Sequence, residues 1–201
     1  MGVPVTLPDE ARWVIVLAVE MDRVSLATSP SFLAAAASGK GYSDSAALAG
    51  AVGEYLRLLG YYARSCGNDT ALSIPLAIDA GLGVPGRNGL LLTSKFGPVI
   101  RLCKVITDLE LDPTSREYPS TEDVCSDCTL CAEACEADAL STAEKPTWDV
   151  LTESNNPGVF RWQFNPEKCF DFWLKIGRDC SNCISACPAA GKLRKLISEK
   201  K

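Results

Sequence analysis

The chain contains no histidine. Haem with a histidine ligand, histidine-ligated zinc or copper, and a Ser-His-Asp triad are thereby excluded, because each needs an imidazole nitrogen. Positive charge is also in short supply. The 20 Lys and Arg residues face 25 Asp and Glu, a net charge of −5, which argues against nucleic acid or an anionic membrane surface as partner. Long apolar runs are missing too. The longest, Trp13 to Val19, is far short of the ~20 residues that a membrane-spanning helix needs. No secretory signal or twin-arginine motif opens the chain. The glycine-rich stretch Gly81–Leu90 lacks the Lys-Ser/Thr pair of a phosphate-binding loop.

What the chain does have is cysteine in a regular pattern. Eight of its ten cysteines form two runs. The first is Cys125-x2-Cys128-x2-Cys131-x3-Cys135, and the second is Cys169-x10-Cys180-x2-Cys183-x3-Cys187 followed by Pro188. This resembles the bacterial two-cluster ferredoxin pattern, in which thiolates hold a pair of [4Fe–4S] cubanes and the fourth cysteine of each run serves the other cluster. The expected ligand sets are therefore Cys125, Cys128, Cys131 and Cys187 for one cluster, and Cys135, Cys169, Cys180 and Cys183 for the other. Zinc suits the pattern less well, since zinc sites use two ligand pairs. A disulfide framework belongs to small secreted domains and not to a chain with this much α/β character before the cysteines. The ten-residue gap before Cys180 departs from the usual spacing and predicts a loop insertion around Phe170 to Asp179. Cys66 and Cys103 fall outside the pattern and read as buried thiols.

Ahead of the cysteines the pattern alternates between strand and helix. Trp13–Val19 reads as a strand buried on both faces. Ser29-Pro30 offers a helix start for a short alanine-rich helix from Phe32 to Ala37, ending near Gly39. Ser43 and Asp44 begin a longer helix with Leu48, Val52, Tyr55 and Leu59 at helical spacing and Gly60 as its stop. Tyr61–Ser65, Leu90–Thr93 and Val99–Leu111 read as strands, and Ile74–Ala80 as a short helix. This order implies an α/β layered domain over residues 1–118. A polar hinge from Pro113 to Thr121 leads to a cysteine domain over residues 119–201, with a polar insertion from Ser141 to Pro166. The glycine-rich loop has two readings that the residues leave open. It is a tight connection needing positive φ, or a loop whose Gly83, Gly86, Arg87, Asn88 and Gly89 approach a large cofactor.

Several segments follow one another in an order that carries a resemblance: Trp13–Arg23, Gly41-Tyr42-Ser43, Leu59–Tyr61, Gly67–Pro75, Asp79–Gly83, Gly86–Leu90, Phe96-Gly97-Pro98 and Arg101–Asp108, then both cysteine runs. Together they resemble the corrinoid-dependent reductive dehalogenases of anaerobic bacteria, over nearly the whole chain. The resemblance implies a nitroreductase-like cobalamin core followed by a two-[4Fe–4S] ferredoxin-like domain. It implies that electrons from a respiratory donor reach cobalt through the clusters, that the substrate is a small organohalide such as a chlorinated ethene, and that a small membrane-anchor protein is a partner. Location on the outer face of the bacterial cytoplasmic membrane follows for the full-length family. Family members are usually much longer, with an export signal and an N-terminal cobalamin-enclosing portion. The chain is thus expected to be a piece of such a protein or a minimal version of it.

The resemblance also assigns roles. Tyr42 corresponds to the proton donor, Asn68 to a polar partner in the pocket, and Arg101 to a cation beside the tyrosine. The chemistry is coherent, because a phenol of pKa about 10 becomes a better acid when a permanent positive charge stabilises its phenolate. Two other functions share part of the pattern. One is epoxyqueuosine reductase, a cobalamin and iron–sulfur enzyme of tRNA that should carry basic surface. The other is a ferredoxin-type electron carrier with an inert domain attached.

Overall fold

The computed structural model describes residues 4–68, 70–112 and 119–189. Its centre is a three-stranded antiparallel sheet in the order β1 (Trp13–Glu20), β5 (Ile100–Thr107), β2 (Ala63–Cys66). β1 pairs with β5 along its whole length, from Trp13 opposite Thr107 to Glu20 opposite Ile100. β2 covers only the far half of β5, ending at Cys66 opposite Lys104. The stretch Ile100–Cys103 therefore has a strand neighbour on one side only. β1 is an edge strand and is half-buried along most of its length, not buried on both faces as its unbroken apolar run suggested.

One long helix, α2 (Phe32–Leu58), lies across one face of this sheet. Its N-cap is Ser31, whose hydroxyl accepts from the Ala34 amide. Ser29 and Pro30 precede it. The expected break at Gly39 does not occur. The reason is visible in the buried stripe, which is Ala34, Ala37, Ser38, Gly41, Ser45, Ala49, Gly53 and Leu56. Apart from Leu56 these are small residues, so the helix backbone sits close to the sheet. A Cβ on Gly41 would lie 2.9 Å from Met21 Cγ and 3.0 Å from Arg101 Cγ. Gly41 is thus a close-approach position and not a helix stop. Of the larger residues that mark helical periodicity in the sequence, Val52 packs against the sheet, while Tyr55 and Leu59 face outward, 62% and 55% exposed.

β5 alternates between its two faces. Cys103 and Val105 pack with Ala49, Leu56 and Ala63 under α2. Ile100 packs on the other face with Ala77 of α3 (Ser73–Asp79) and with Leu91. The remaining elements before the cysteines are the single turn α1 (Arg23–Leu26) and the hairpin of β3 (Val84–Pro85) and β4 (Leu91–Leu92).

The cysteine region is made of short helices: α4 (Thr121–Cys125), α5 (Leu130–Glu133), α6 (Pro166–Ile176) and α7 (Asn182–Ser185). The ten residues between Cys169 and Cys180 are mostly helix, not loop. α6 is capped by Asn165, begins with Pro166 and ends on Gly177 at φ 65°, a standard set of start and stop signals. This region does not stand apart from the sheet. Val84 and Leu92 share a core with Val124, Cys125, Trp162 and Ala189. Met21, Leu26, Ala37 and Val99 share another with Ile184. The expected hinge lies largely outside the described residues.

Candidate active site and cluster module

The end of β2 and the shortness of its pairing create a cavity beside β5. After Cys66 the chain turns through Gly67 and Asn68 into α3, leaving Ile100–Leu102 open on that side. The resulting cavity, of about 360 Å³, is lined by Tyr42, Asn68, Arg101, Ile74, Leu90 and Leu91 among others. Apolar walls with a few convergent polar groups at this volume suit a small organic molecule. A larger groove of about 830 Å³ runs along the open edge of β1. It contains none of the candidate catalytic residues and none of the cysteines, so the smaller cavity is the chemical candidate.

Three elements bring the polar groups together. Tyr42 follows Gly41 on α2, Arg101 lies on β5, and Asn68 lies in the turn after β2. The Arg101 guanidinium stands over the Tyr42 ring, 4.6 Å from its centroid. Its Nη2 donates to Ser38 Oγ at 3.1 Å, which ties it to α2. Its Nε is buried and has no partner among the described residues. Asn68 Nδ2 donates to the Tyr42 hydroxyl at 3.4 Å, a long bond, and Ser73 Oγ donates to Asn68 Oδ1 at the same distance. Tyr42 is 49% exposed, so its hydroxyl is reachable from the open side of the cavity. Beneath the site the buried Lys104 ammonium donates to the Gly67 carbonyl at 2.6 Å and to Ser73 Oγ at 2.9 Å. It fixes the turn that presents Asn68. Sequence reasoning missed Lys104 and Ser38, because a strand lysine and a helix serine normally read as surface residues.

The glycine-rich loop divides by side. Gly86, Gly89 and Leu90 line the Tyr42 cavity. Arg87 and Asn88 point the other way, into the cysteine region. Arg87 is 1% exposed. Its Nη1 donates to Ser141 O at 3.0 Å and Ala143 O at 2.8 Å, and its Nη2 to Cys125 O at 3.0 Å and Ser126 O at 3.5 Å. Its guanidinium also lies 4.2 Å from the Trp162 ring centroid. Asn88 Nδ2 donates to Cys183 O at 3.3 Å. Gly83 lines neither site. A Cβ there would sit 2.1 Å from the Leu92 carbonyl oxygen, so it serves the close β3–β4 approach.

The eight spaced cysteines fall into two neighbouring sets. Cys125, Cys128, Cys131 and Cys187 line one small cavity with Arg87, Asn88, Leu92 and Pro188. Burial first, and then the proximity of Cys187, Cys125 and Cys128, pushes the Cys131 thiol up to about 12, while Arg87 opposes the rise. Burial also raises Cys187 to about 11, with Cys125 and Cys128 adding to it. In the second set, burial raises Cys183 to about 12, and the charges of Cys131, Cys180, Cys169 and Cys135 contribute. Cys169 is raised by burial and by Cys135 and Cys180. Cys187 thus lies beside Cys125, Cys128 and Cys131, and Cys135 beside Cys169 and Cys183, while Cys131 also neighbours Cys183 across the two sets.

The donor set fits iron–sulfur clusters. Among the described residues no three His, Cys, Asp or Glu side chains close on a point as a single ion requires; four thiols instead ring a cavity. The Nε of Arg87, which lines this cavity, is buried and has no hydrogen-bond partner among the described residues, as suits a space meant for an anionic group. Two amide and hydroxyl donors already reach sulfur in the second set. Ala139 N donates to Cys135 Sγ at 3.4 Å, and Ser29 Oγ stands 3.9 Å from Cys180 Sγ. Cys66 and Cys103 are buried, as expected for thiols outside the pattern.

Comparison with known proteins agrees with this division. Residues 124–190 match the 4Fe-4S dicluster domain family. A tetrachloroethene reductive dehalogenase of Desulfitobacterium hafniense is 45% identical over 177 residues, covering 87% of this chain and 32% of that protein. A solved reductive dehalogenase, described in terms of B12-dependent dehalogenation, superposes with a TM-score of 0.75 at 26% identity, over 92% of this chain and 27% of that one. An epoxyqueuosine reductase of Cyclobacterium marinum is 42% identical over only 64 residues, 32% of this chain and 20% of that protein. The chain spans about a third of the length of the curated dehalogenases it matches.

Proposed function

The chain belongs to the reductive dehalogenase family, and from that premise we propose that it carries the proton-delivery wall and the electron relay of an organohalide reductase. The observation that carries the proposal is the convergence of Tyr42, Asn68 and Arg101 on one cavity whose glycine-rich wall is shared with the cysteine module. The overall reaction consumes an organohalide, two electrons and one proton, and yields the reduced carbon compound and halide. Cobalamin, when bound, supplies a cobalt centre as the reductant at carbon. The described cavity offers such a large ligand one wall, not an enclosure. The sheet with α2 on one face is read as part of a nitroreductase-like core.

The chain's own residues handle the proton. Tyr42 donates it from its hydroxyl to the carbon that loses halide. The resulting phenolate is stabilised by the Arg101 charge over the ring and by the Asn68 amide at the oxygen. Ser38 holds Arg101 in place, and Ser73 with Lys104 holds the Asn68 turn. Apolar walls from Ile74, Leu90 and Leu91 accept a chlorinated hydrocarbon. The two cysteine sets would hold two [4Fe–4S] clusters, which when bound would supply one-electron transfer from a respiratory donor. A small membrane anchor and placement on the outer face of the cytoplasmic membrane belong to the same reading. Among the described residues no helix is long and apolar enough to cross a membrane.

Anaerobic reconstitution with iron, sulfide and cobalamin tests the reading. We expect about eight irons and eight sulfides per chain, because eight cysteines fit two cubanes. Halide should be released from chloroethene when the chain is supplied with the remaining length of a family member. Stoichiometric zinc without charge-transfer absorption would overturn the cluster assignment, and cobalamin-dependent reduction of epoxyqueuosine without halide release would overturn the substrate class.

A further inference from the structure

Arg87 is a charge buried in an unusual place. It sits on the loop between Pro85 and Leu90, yet its side chain reaches out of the sheet region and into the cysteine module. All four acceptors of its Nη groups are backbone carbonyls. Among the described residues no carboxylate pairs with it. Its aromatic neighbour Trp162 is also 1% exposed. A guanidinium keeps its charge in any protein environment. Burying it without a counter-ion is costly unless an anion lies nearby. The thiols of Cys125, Cys128, Cys131 and Cys187, with which Arg87 lines one cavity, are able to supply that anion.

We propose that Arg87 is the counter-ion of the cluster held by Cys125, Cys128, Cys131 and Cys187, and that its charge raises the reduction potential of that cluster. The proposal rests on the iron–sulfur reading above. An oxidised [4Fe–4S] cubane with four thiolates is a dianion. One electron makes it a trianion, with no bond formed or broken at carbon and no proton required. A fixed positive charge in a low-dielectric setting stabilises the trianion more than the dianion. The second set receives neutral contacts from the Ala139 amide, the Ser29 hydroxyl and the Asn88 amide; the cation near it is Arg178, two residues before Cys180, whose Nη groups are spent on the Ile176 and Pro30 carbonyls and whose guanidinium lies over the Phe32 ring. Successive loop residues thus serve different clusters, Arg87 by charge at Cys125 and Asn88 by a neutral bond at Cys183. Arg87 is a positioning residue as well, since it ties Cys125 to the insertion at Ser141 and Ala143.

The loop that carries Arg87 is the wall behind the Tyr42 cavity, so the charge also lies on the side where the electron is consumed.

The test is a redox titration of the reconstituted 201-residue chain with dithionite, followed by electron paramagnetic resonance. Cys128→Ser and Cys180→Ser identify which signal belongs to which cluster. Arg87→Gln removes the charge and should lower the potential of the Cys128 cluster alone, leaving the other unchanged. Arg87→Lys keeps the charge but loses the planar fork, and should stay close to the parent potential. Unchanged potentials in Arg87→Gln, or an equal shift of both clusters, would overturn the inference. Should Arg87→Gln fail to retain the cluster, Arg87→Lys decides alone: a parent-like potential supports the counter-ion role and a lowered one refutes it. Failure to incorporate iron into the parent chain would instead overturn the iron–sulfur reading, which keeps the two failures distinct.

Discussion

Replacing Gly41 and Gly39 separately by alanine sets helix propensity against packing within two residues of one helix. Both glycines lie inside α2, where each costs about 1 kcal/mol relative to alanine. Gly39 has nothing within 4 Å of an added Cβ. Gly39→Ala should therefore stabilise the chain by roughly 0.5–1 kcal/mol, a rise of about 1–4 °C in melting temperature for a chain of this size. Gly41→Ala gains the same propensity term. Its Cβ, however, would meet Met21 Cγ at 2.9 Å and Arg101 Cγ at 3.0 Å. Neither atom is the free end of its side chain, so α2 must move outward or Arg101 must shift, at a cost of about 1–3 kcal/mol for overpacking. The net effect of Gly41→Ala is destabilisation of up to about 2 kcal/mol. The gap between the two variants, about 1–3 kcal/mol, isolates the packing term because propensity cancels. Anaerobic thermal denaturation followed by circular dichroism measures both. A Gly41→Ala chain as stable as Gly39→Ala would refute the close-approach account of α2 and of the Arg101–Tyr42 contact built on it.

Four further outcomes are expected. In an enzyme carrying this core, Tyr42→Phe should lower dehalogenation by roughly 10²–10⁴-fold while iron and cobalamin contents stay normal, and steady-state halide release is the readout. Arg101→Ala should cost more than Arg101→Lys in the same assay, since lysine keeps the charge beside the phenolate. Stripping iron with a chelator should shift Trp162 fluorescence to longer wavelength, because this buried indole packs with Cys125 and its neighbours. The iron-free fold should also weaken in alkali. Cys131, Cys183 and Cys187 are raised by burial to about 12, 12 and 11, against about 8.5 in an unfolded chain. Below pH 8.5 both states keep these protons and pH has no effect. Above it the unfolded chain ionises first, so stability falls progressively towards pH 12, as denaturant midpoints measured at stepped pH would show.

Local signals carried far where they were chemically specific. The cysteine spacing led directly to the 4Fe-4S dicluster match over residues 124–190, because ligand geometry constrains sequence separation tightly. The strands around Ala63 and Ile100 and the helix before Gly81 were legible for the ordinary reason that apolar residues cluster in short elements. The long helix was not. Its buried stripe is built from Ala, Ser and Gly, which carry almost no hydropathic signal. Its outward Leu48, Tyr55 and Leu59 imitate a core face. Likewise α6 was hidden by counting the residues between cysteines and overlooking the Asn165-Pro166 start and the Gly177 stop. The meeting of Tyr42, Asn68 and Arg101 depends on separations of 26 and more residues, and only a family pattern or a fold can supply contacts of that range. The inward reach of Arg87 and Lys104 lay beyond composition altogether, since both residue types are ordinarily solvent-facing.

The loop from Gly86 to Leu90 has one face towards the Tyr42 cavity and the other towards the thiols. A protein engineer who widens the cavity at this wall to admit bulkier halides will therefore disturb the electron path with the same stroke. Gly89 leaves little slack, since a Cβ there would meet the Phe164 ring at 2.9 Å. Room for new substrates is better sought along α3, at Ile74 and Ile78, which line the cavity and pack with Ala77, Leu91 and Ile100. On the proposed function, substrate range is more separable from electron supply on that side than at the loop.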